Sequence, residues 1–427
     1  MKPDKTSKNR PVDELVQQYY TLGNEGLVSG LDFQCRMEKA SRLRSQAIDQ
    51  GVYFYRRALE SSRAQSFVSE YLSGEQRPII NLASNDYLGF TQHPEVLRAG
   101  KEALDKYGAG SGSVPMLSGT LTVHKQLEQR MAAFLGYEDC RLFNSGFAAN
   151  YGVLSALLKT SDVVILDSLV HASIIDGCAH ARKLFFLHND PDSLERALKK
   201  SADASNRLIV VDGVYSMDGD IARLKEIKTV ARSHGAYLMV DDAHGTGVLG
   251  PQGRGTQHHL EMVAEADLIT GSFGKALAGV GGFVCGRQAW MEYLELMSRP
   301  FLFSSSIPPA VAASVLREID LLEAGDEALE RLWDNTCFFG DGLRAMGFDL
   351  GLSETPILPI IIKDELKVLK MTRSLHQAGI FVNPIIYPVV SRNKSRLRIS
   401  LTAGLSRDSL EYCLEKMEEC GQQVGVI

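Results

Sequence analysis

The chain has 427 residues, enough for two or three domains, and its 44% apolar and 23% charged content is that of a folded globular protein, not a disordered one. A net charge of −6 leaves no basic footprint for nucleic acid or an anionic membrane surface. Cys35, Cys140, Cys178, Cys285, Cys337, Cys413 and Cys420 form no CxxC pair, and the polar start carries no signal-peptide core; both point to reduced thiols and a cytoplasmic protein.

No stretch of about 18 apolar residues exists to span a bilayer. The first ten residues are polar and expected to fray. Residues 11–60 lean helical, with Val12, Leu15, Val16, Tyr19 and Tyr20 at helical spacing. Such an arm either packs on a partner subunit or covers a cleft, or it only adds stability. From Pro78 the character changes: Ile79 to Ala83 reads as a strand and Ser84 to Gly89 as a turn. Helical periodicity marks 94–106 and 120–136, with a glycine-rich loop, 107–119, between them. Its third fingerprint glycine falls on Ser113, and it follows a helix, so a dinucleotide site is disfavoured.

Apolar runs at 142–143, 163–166, 184–187, 208–211, 237–240 and 268–270 alternate with helical patterns. This predicts a mainly parallel sheet covered on both faces, with ligands at the carboxyl ends of its strands. After residue 300 come long helices through 345, strands at 357–362 and 395–401, and helices at 365–378 and 406–424. The predicted division is an N-terminal arm (1–75), a large α/β domain (76–300) and a small α+β domain (301–427).

Four strand ends carry polar residues. Leu142 to Asn150 ends a strand and opens a helix, so Ser145, Gly146 and Phe147 offer a helix N-terminus suited to phosphate, or an ordinary serine cap. The strand Val163–Leu166 runs on to His171, which is either a structural histidine, as a lone His past a strand end more often is, or one that could stack on a flat ring. A very apolar strand ends in Asp241, a carboxylate that needs a cationic partner if buried; His244 follows three residues later. A metal is the rival reading of Asp241, Asp242 and His244, but no partner ligands are evident and His258 and His259 fall in an expected loop. Last, 267–286 reads as strand, tight turn, strand, with Ser272 and Lys275 among glycines. A lysine desolvated there is either a Schiff-base nucleophile or a surface charge. Phosphate-binding helix end, ring-stacking His, ring-nitrogen Asp and Schiff-base Lys, in that order, are what pyridoxal 5'-phosphate (PLP) requires.

These motifs resemble the α-oxoamine synthases, a branch of the fold type I PLP-dependent transferases, over about residues 75 to 420. The resemblance rests on Asn85 to Gly89, Ser118-Gly-Thr120, Ser145 to Asn150, His171 to Ile174, Gly213 to Asp220, Val240 to Val248, Ser272 to Lys275 and Arg396 to Thr402. It implies an α/β fold with a large mainly parallel-sheet domain and a smaller C-terminal α+β domain. It implies Lys275 as the Schiff-base lysine, His171 stacked on the ring, Asp241 at the ring nitrogen and His244 at the ring oxygen. Ser216 matches a residue beside that oxygen, Ser272 a phosphate ligand, and Gly146 and Phe147 backbone phosphate contacts. Arg398 matches the arginine that binds the amino-acid carboxylate, and Asn85 a substrate neighbour. Ser304 to Ser306, with Ser305 central, match the segment touching the neighbouring subunit's phosphate, which implies a homodimer with shared sites.

The second half is most similar to bacterial serine palmitoyltransferase. That likeness implies condensation of serine with an acyl thioester, on coenzyme A or an acyl-carrier protein, in sphingolipid biosynthesis. Peripheral membrane contact is left open. The alternatives are an activity of the 8-amino-7-oxononanoate synthase or glycine C-acetyltransferase type, an aminotransferase, or a non-catalytic paralogue. Pro115 departs from the family, many members of which carry arginine there.

Overall fold

The computed structural model describes residues 30–69, 74–325 and 327–427. The helical pattern at Val12–Tyr20 lies outside the described residues. Of the expected arm, Phe33–Asp49 is a helix, begun by Asp32, whose carboxylate accepts the Cys35 N–H at 2.7 Å. Residues 50–60 are not helical, a departure from the periodicity reading. Gly51 takes φ 66°, a left-handed stop after the helix.

Two antiparallel strands follow, β1 (Gln65–Ser69) and β2 (Gln76–Asn81). Then come the helices Pro94–Tyr107 and Thr122–Leu135. The chain next lays down β3 (Asp139–Phe143), β4 (Val163–Asp167), β5 (Arg182–Phe186), β6 (Arg207–Asp212), β7 (Tyr237–Asp241), β8 (Leu268–Ser272) and β9 (Gly282–Gly286). These seven form one sheet in the order β3-β9-β8-β7-β6-β4-β5. Only β9 runs against the others, being antiparallel to both β3 and β8.

Both faces of the sheet are covered, for a reason visible in β4. Val164 and Leu166 join a core with the helices Gly146–Leu157 and Gln288–Met297, while Val163 and Ile165 join a second core with Pro191–Lys199 and Leu224–Ser233. Successive strand side chains point to opposite faces, so a strand buried twice reads as one continuous apolar run.

Beyond the helices Pro309–Ala324 and Ala328–Ala345 lie β10 (Ile357–Ile361), β11 (Ile380–Phe381), β12 (Asn383–Ile385) and β13 (Arg396–Ser400). Strands β10, β13 and β12 make an antiparallel sheet, and β11 pairs in parallel with β2. The early strands therefore close on the far end of the chain. One apolar core joins Leu127 and Phe134 to Leu358 and Leu397.

His258 and His259 sit in a short helix, Thr256–His259, not in a loop. Among the described residues no group of three or more His, Cys, Asp or Glu side chains is arranged to bind a metal, and no described helix is long and apolar enough to cross a membrane.

Candidate active site

The carboxyl ends of β4, β6, β7 and β8 open on a cavity of about 250 Å³. Lys275, Asp241, His171 and His244 line it, with Ser216 and Ser272. Ser145, Gly146 and Phe147 form one wall.

That wall is the start of the helix Gly146–Leu157. Ser145 caps it, its side-chain oxygen accepting the Ala148 N–H at 3.0 Å. The serine is thus both an ordinary cap and part of the cavity. A Cβ at Gly146 would sit 2.8 Å from Ser272 Cβ, so only glycine lets β8 approach the helix end this closely. The Ser272 hydroxyl accepts the Gly274 N–H at 3.1 Å. First-turn N–H groups, the positive end of the helix dipole and a hydroxyl together suit a phosphate.

Asp241 ends β7, buried beneath the cavity. Its Oδ1 accepts the Ala243 N–H at 3.0 Å and its Oδ2 accepts the Asn150 amide at 2.6 Å. These donors are neutral, and no arginine or lysine is in ion-pair contact with Asp241 among the described residues. A buried carboxyl contacted only by neutral donors leaves room for a cationic partner in direct contact, which a protonated ring nitrogen would supply. The residues present fit PLP.

Lys275 stands in the turn between β8 and β9. Burial pulls its amine below the usual lysine range and Arg398 adds to this, while Asp241 and Asp212 pull the other way. His244 is driven well down, chiefly by burial, then by Lys275, Arg398 and His171. Its Nδ1 meets the Tyr87 hydroxyl at 2.9 Å. His171 is also lowered by burial, and its Nδ1 meets the Ser173 hydroxyl at 2.7 Å. Burial thus favours the neutral form of both imidazoles.

Arg398 and Asn85 do not line the cavity but adjoin it. Arg398 Nε donates to the Ser216 carbonyl at 2.6 Å, and Nη1 donates to the Ser400 hydroxyl at 2.9 Å. Nη1 and Nη2 reach Asn85 Oδ1 only at 3.3 and 3.4 Å. Ser305 is not brought to Lys275. With Ser304 and Ser306 it lines a separate cavity of about 380 Å³, beside Pro115 and Met116.

Two cavity residues escaped the sequence reading. Asp212 ends β6 opposite Asp241 in register, buried, its Oδ1 accepting the His171 N–H at 3.3 Å. Burial first, then Asp241, raises its carboxyl well above the usual range. The signal was present, since Leu-Ile-Val-Val-Asp212 repeats the pattern of Leu-Met-Val-Asp241. Asn150 closes a quoted motif, yet only the fold shows it bonded to Asp241, Ser173 and Thr270.

The chain matches the aminotransferase class I and II family over residues 77–417. It is 42% identical to 8-amino-7-oxononanoate synthase of Thermoanaerobacter pseudethanolicus, across 88% of this chain and 95% of that one. It is 44% identical to 8-amino-7-oxononanoate synthase 1 of Bacillus subtilis, across 82% and 90%. Among solved structures it resembles serine palmitoyltransferase of S. paucimobilis with a bound PLP–myriocin aldimine, at TM-score 0.87 and 34% identity, covering 93% of this chain and all of that one. The Sphingomonas wittichii serine palmitoyltransferase gives TM-score 0.86 at the same identity and coverage. With Lys275, Asp241 and the helix end gathered on one cavity, the chain belongs to the aminotransferase class I and II family, in its PLP-dependent, acyl-transferring α-oxoamine synthase branch.

Proposed function

We propose that this enzyme condenses a small amino acid with an acyl thioester, with loss of carbon dioxide, as an 8-amino-7-oxononanoate synthase does. The observation that carries this is Arg398 set beside a cavity that holds Lys275 and Asp241. Serine, first on sequence grounds, gives way to alanine, because the named relatives favour the alternative reading. An amine at carbon 8 beside a ketone at carbon 7 is what alanine leaves when joined to a seven-carbon acyl group. The same relatives weigh against sphingolipid formation. The serine palmitoyltransferase reading stands second, supported by the structural likeness at TM-score 0.87.

Bound PLP supplies an electron sink for the charge released at the amino acid's α-carbon. The chain's residues do the rest. Arg398 binds the carboxylate through the edge that now faces Asn85 at 3.3 to 3.4 Å, trading a weak contact for a bidentate one. Lys275, its basicity lowered by burial, is the base that takes the α-proton. The carbon joins the thioester carbonyl, the thiol departs, the carboxylate leaves as carbon dioxide, and a proton returns to the α-carbon. His171, which lines the same cavity as Lys275 and Asp241, would cover the ring and orient the incoming carbonyl.

The enzyme acts as a homodimer in this reading, with Ser305 of one subunit serving the phosphate of the other. Exposed Met116, Leu117, Leu296 and Phe303 near that serine support it, being the kind of apolar rim a subunit contact covers.

The test offers alanine, serine and glycine with a seven-carbon dicarboxylic acyl thioester and with a long-chain acyl-CoA, and reads products by mass spectrometry. An α-amino ketone from alanine and the seven-carbon donor is expected. Product from serine and the long chain alone would favour the second reading. A keto acid with pyridoxamine phosphate would show an aminotransferase.

A further inference from the structure

Residues 213–222 form a small hairpin at the end of β6. The Gly213 N–H donates to the Asp241 carbonyl at 2.7 Å, the Tyr215 N–H to that of Asp220 at 3.1 Å, and the Ala222 N–H back to Gly213 at 3.0 Å. The tip reaches the C-terminal region. There the Gly219 carbonyl accepts the Thr355 hydroxyl at 2.8 Å. The buried Arg396 guanidinium donates to the Met217 carbonyl at 2.8 Å and to Asp218 Oδ1 at 2.7 Å. Midway, Ser216 lines the cofactor cavity and offers its carbonyl to Arg398 Nε.

His188 stands at the base of this hairpin. Its Nδ1 lies 3.0 Å from Asp167 Oδ1 at the end of β4, and its Nε2 lies 2.8 Å from Asp220 Oδ2 on the hairpin. An ionised carboxylate can only accept, so both ring nitrogens carry protons and the ring is a cation. The other groups facing it are the Tyr215 ring, edge-on at 4.3 Å between centroids, and Asn189, whose amide also donates to Asp220 Oδ2 at 2.9 Å. A third acid, Asp212, lies within electrostatic reach of Asp167, which helps to raise the Asp212 carboxyl. Burial by itself would lower the imidazole, but the Asp167 and Asp220 carboxylates outweigh it and raise the group to about 10.

We propose that His188 is a positioning residue, an imidazolium that ties the 213–222 hairpin to β4 and so sets where Arg398 presents its guanidinium to the amino-acid carboxylate. The inference deepens the functional reading and rests on Arg398 as the carboxylate anchor. The path is short and continuous: Asp167, His188, Asp220, the hairpin, the Ser216 carbonyl, Arg398 Nε. A neutral residue at 188 leaves two carboxylates facing each other without a cation, and the hairpin shifts away from β4.

The test uses the PLP-loaded enzyme and its His188→Gln variant. Alanine and serine binding are measured by calorimetry, the acyl-thioester KM by turnover, and the His188 ring by nitrogen-15 NMR from pH 6 to 9. The variant is expected to bind amino acid about tenfold more weakly, the loss of one charged hydrogen bond, with the thioester KM unchanged to within about twofold. The wild-type ring is expected to show the doubly protonated signature throughout. Should His188→Gln not fold, Asp220→Asn removes one of the two carboxylates, and the same split is expected. Equal weakening of both substrates, a lower melting temperature with unchanged amino-acid binding, or a neutral ring at pH 8 overturns the proposal. Arg398→Ala is run alongside. If it leaves amino-acid binding intact, the functional reading has failed at its anchor and the inference falls with it. If it abolishes binding while His188→Gln does not weaken it, only the inference fails.

Discussion

The Asn150 side-chain amide donates to Asp241 Oδ2 across 2.6 Å, joining the helix whose N-terminus walls the cavity to the strand whose carboxyl end opens on it. The Asn150 carbonyl in turn accepts the Thr270 hydroxyl at 2.7 Å, which fixes the amide the right way round. Asn150→Ala is expected to weaken PLP binding by about tenfold, the scale of one buried hydrogen bond to a charged group. Asn150→Asp should cost more, because two carboxylates in contact must share a proton. Equilibrium titration of apo-protein with PLP measures both, and an affinity that does not move would remove Asn150 from this role.

Lys275→Ala should leave a protein that binds PLP without the visible absorbance band and without a borohydride-reducible link. Lys275 is the lysine that lines the cavity beside Asp241. A reducible link in the purified variant would mean another lysine is the nucleophile.

Arg398→Ala should raise the amino-acid dissociation constant by roughly a hundredfold, as expected for losing a bidentate charged contact, and leave the acyl-thioester KM nearly unchanged. Arg398→Lys should recover only part, since an ammonium cannot bond both the Ser216 carbonyl and a carboxylate fork. Equal losses for the two substrates would place Arg398 elsewhere in the reaction.

Gly146→Ala tests the phosphate wall. The added methyl would meet Ser272 Cβ at 2.8 Å, so strand or helix must shift. The expected result is weaker binding of PLP with little change for pyridoxal, which lacks the phosphate. A parallel loss for both compounds would contradict a phosphate at this helix end.

The His188 ring also sets a pH window for stability. Its folded value is raised to about 10, by Asp167 and Asp220 against the opposing effect of burial. The unfolded value is near the ordinary 6.5. A raised value means the folded state holds a proton that the unfolded state releases. The contribution is therefore full below about pH 6.5 and is lost as pH rises toward 10. Denaturant melts of wild type and His188→Gln should differ most at low pH and converge by about pH 10. A gap that widens with pH would show that the ring is neutral in the fold.

The chemistry of this protein was written locally, and so the sequence by itself determined much of it. A strand buried on both faces must be apolar throughout, so its first polar residue marks its carboxyl end, as Asp241 does in β7. The covered parallel sheet was legible for the same reason. Tertiary structure alone decided what depends on register between strands and on distant pairing. Asp212 became a cavity residue because β6 aligns it with Asp241, and Asn150 because its helix packs on β8 and β9 and brings the amide to the end of β7. The helix-leaning stretch past Asp49 gave way to turns, and β2, paired locally with β1, found its second partner in β11, about three hundred residues on. Arg398 touches Ser216, and His188 carries its charge, because separate segments meet there. Periodicity along a chain reports which face of an element is buried, but not which other element will cover it.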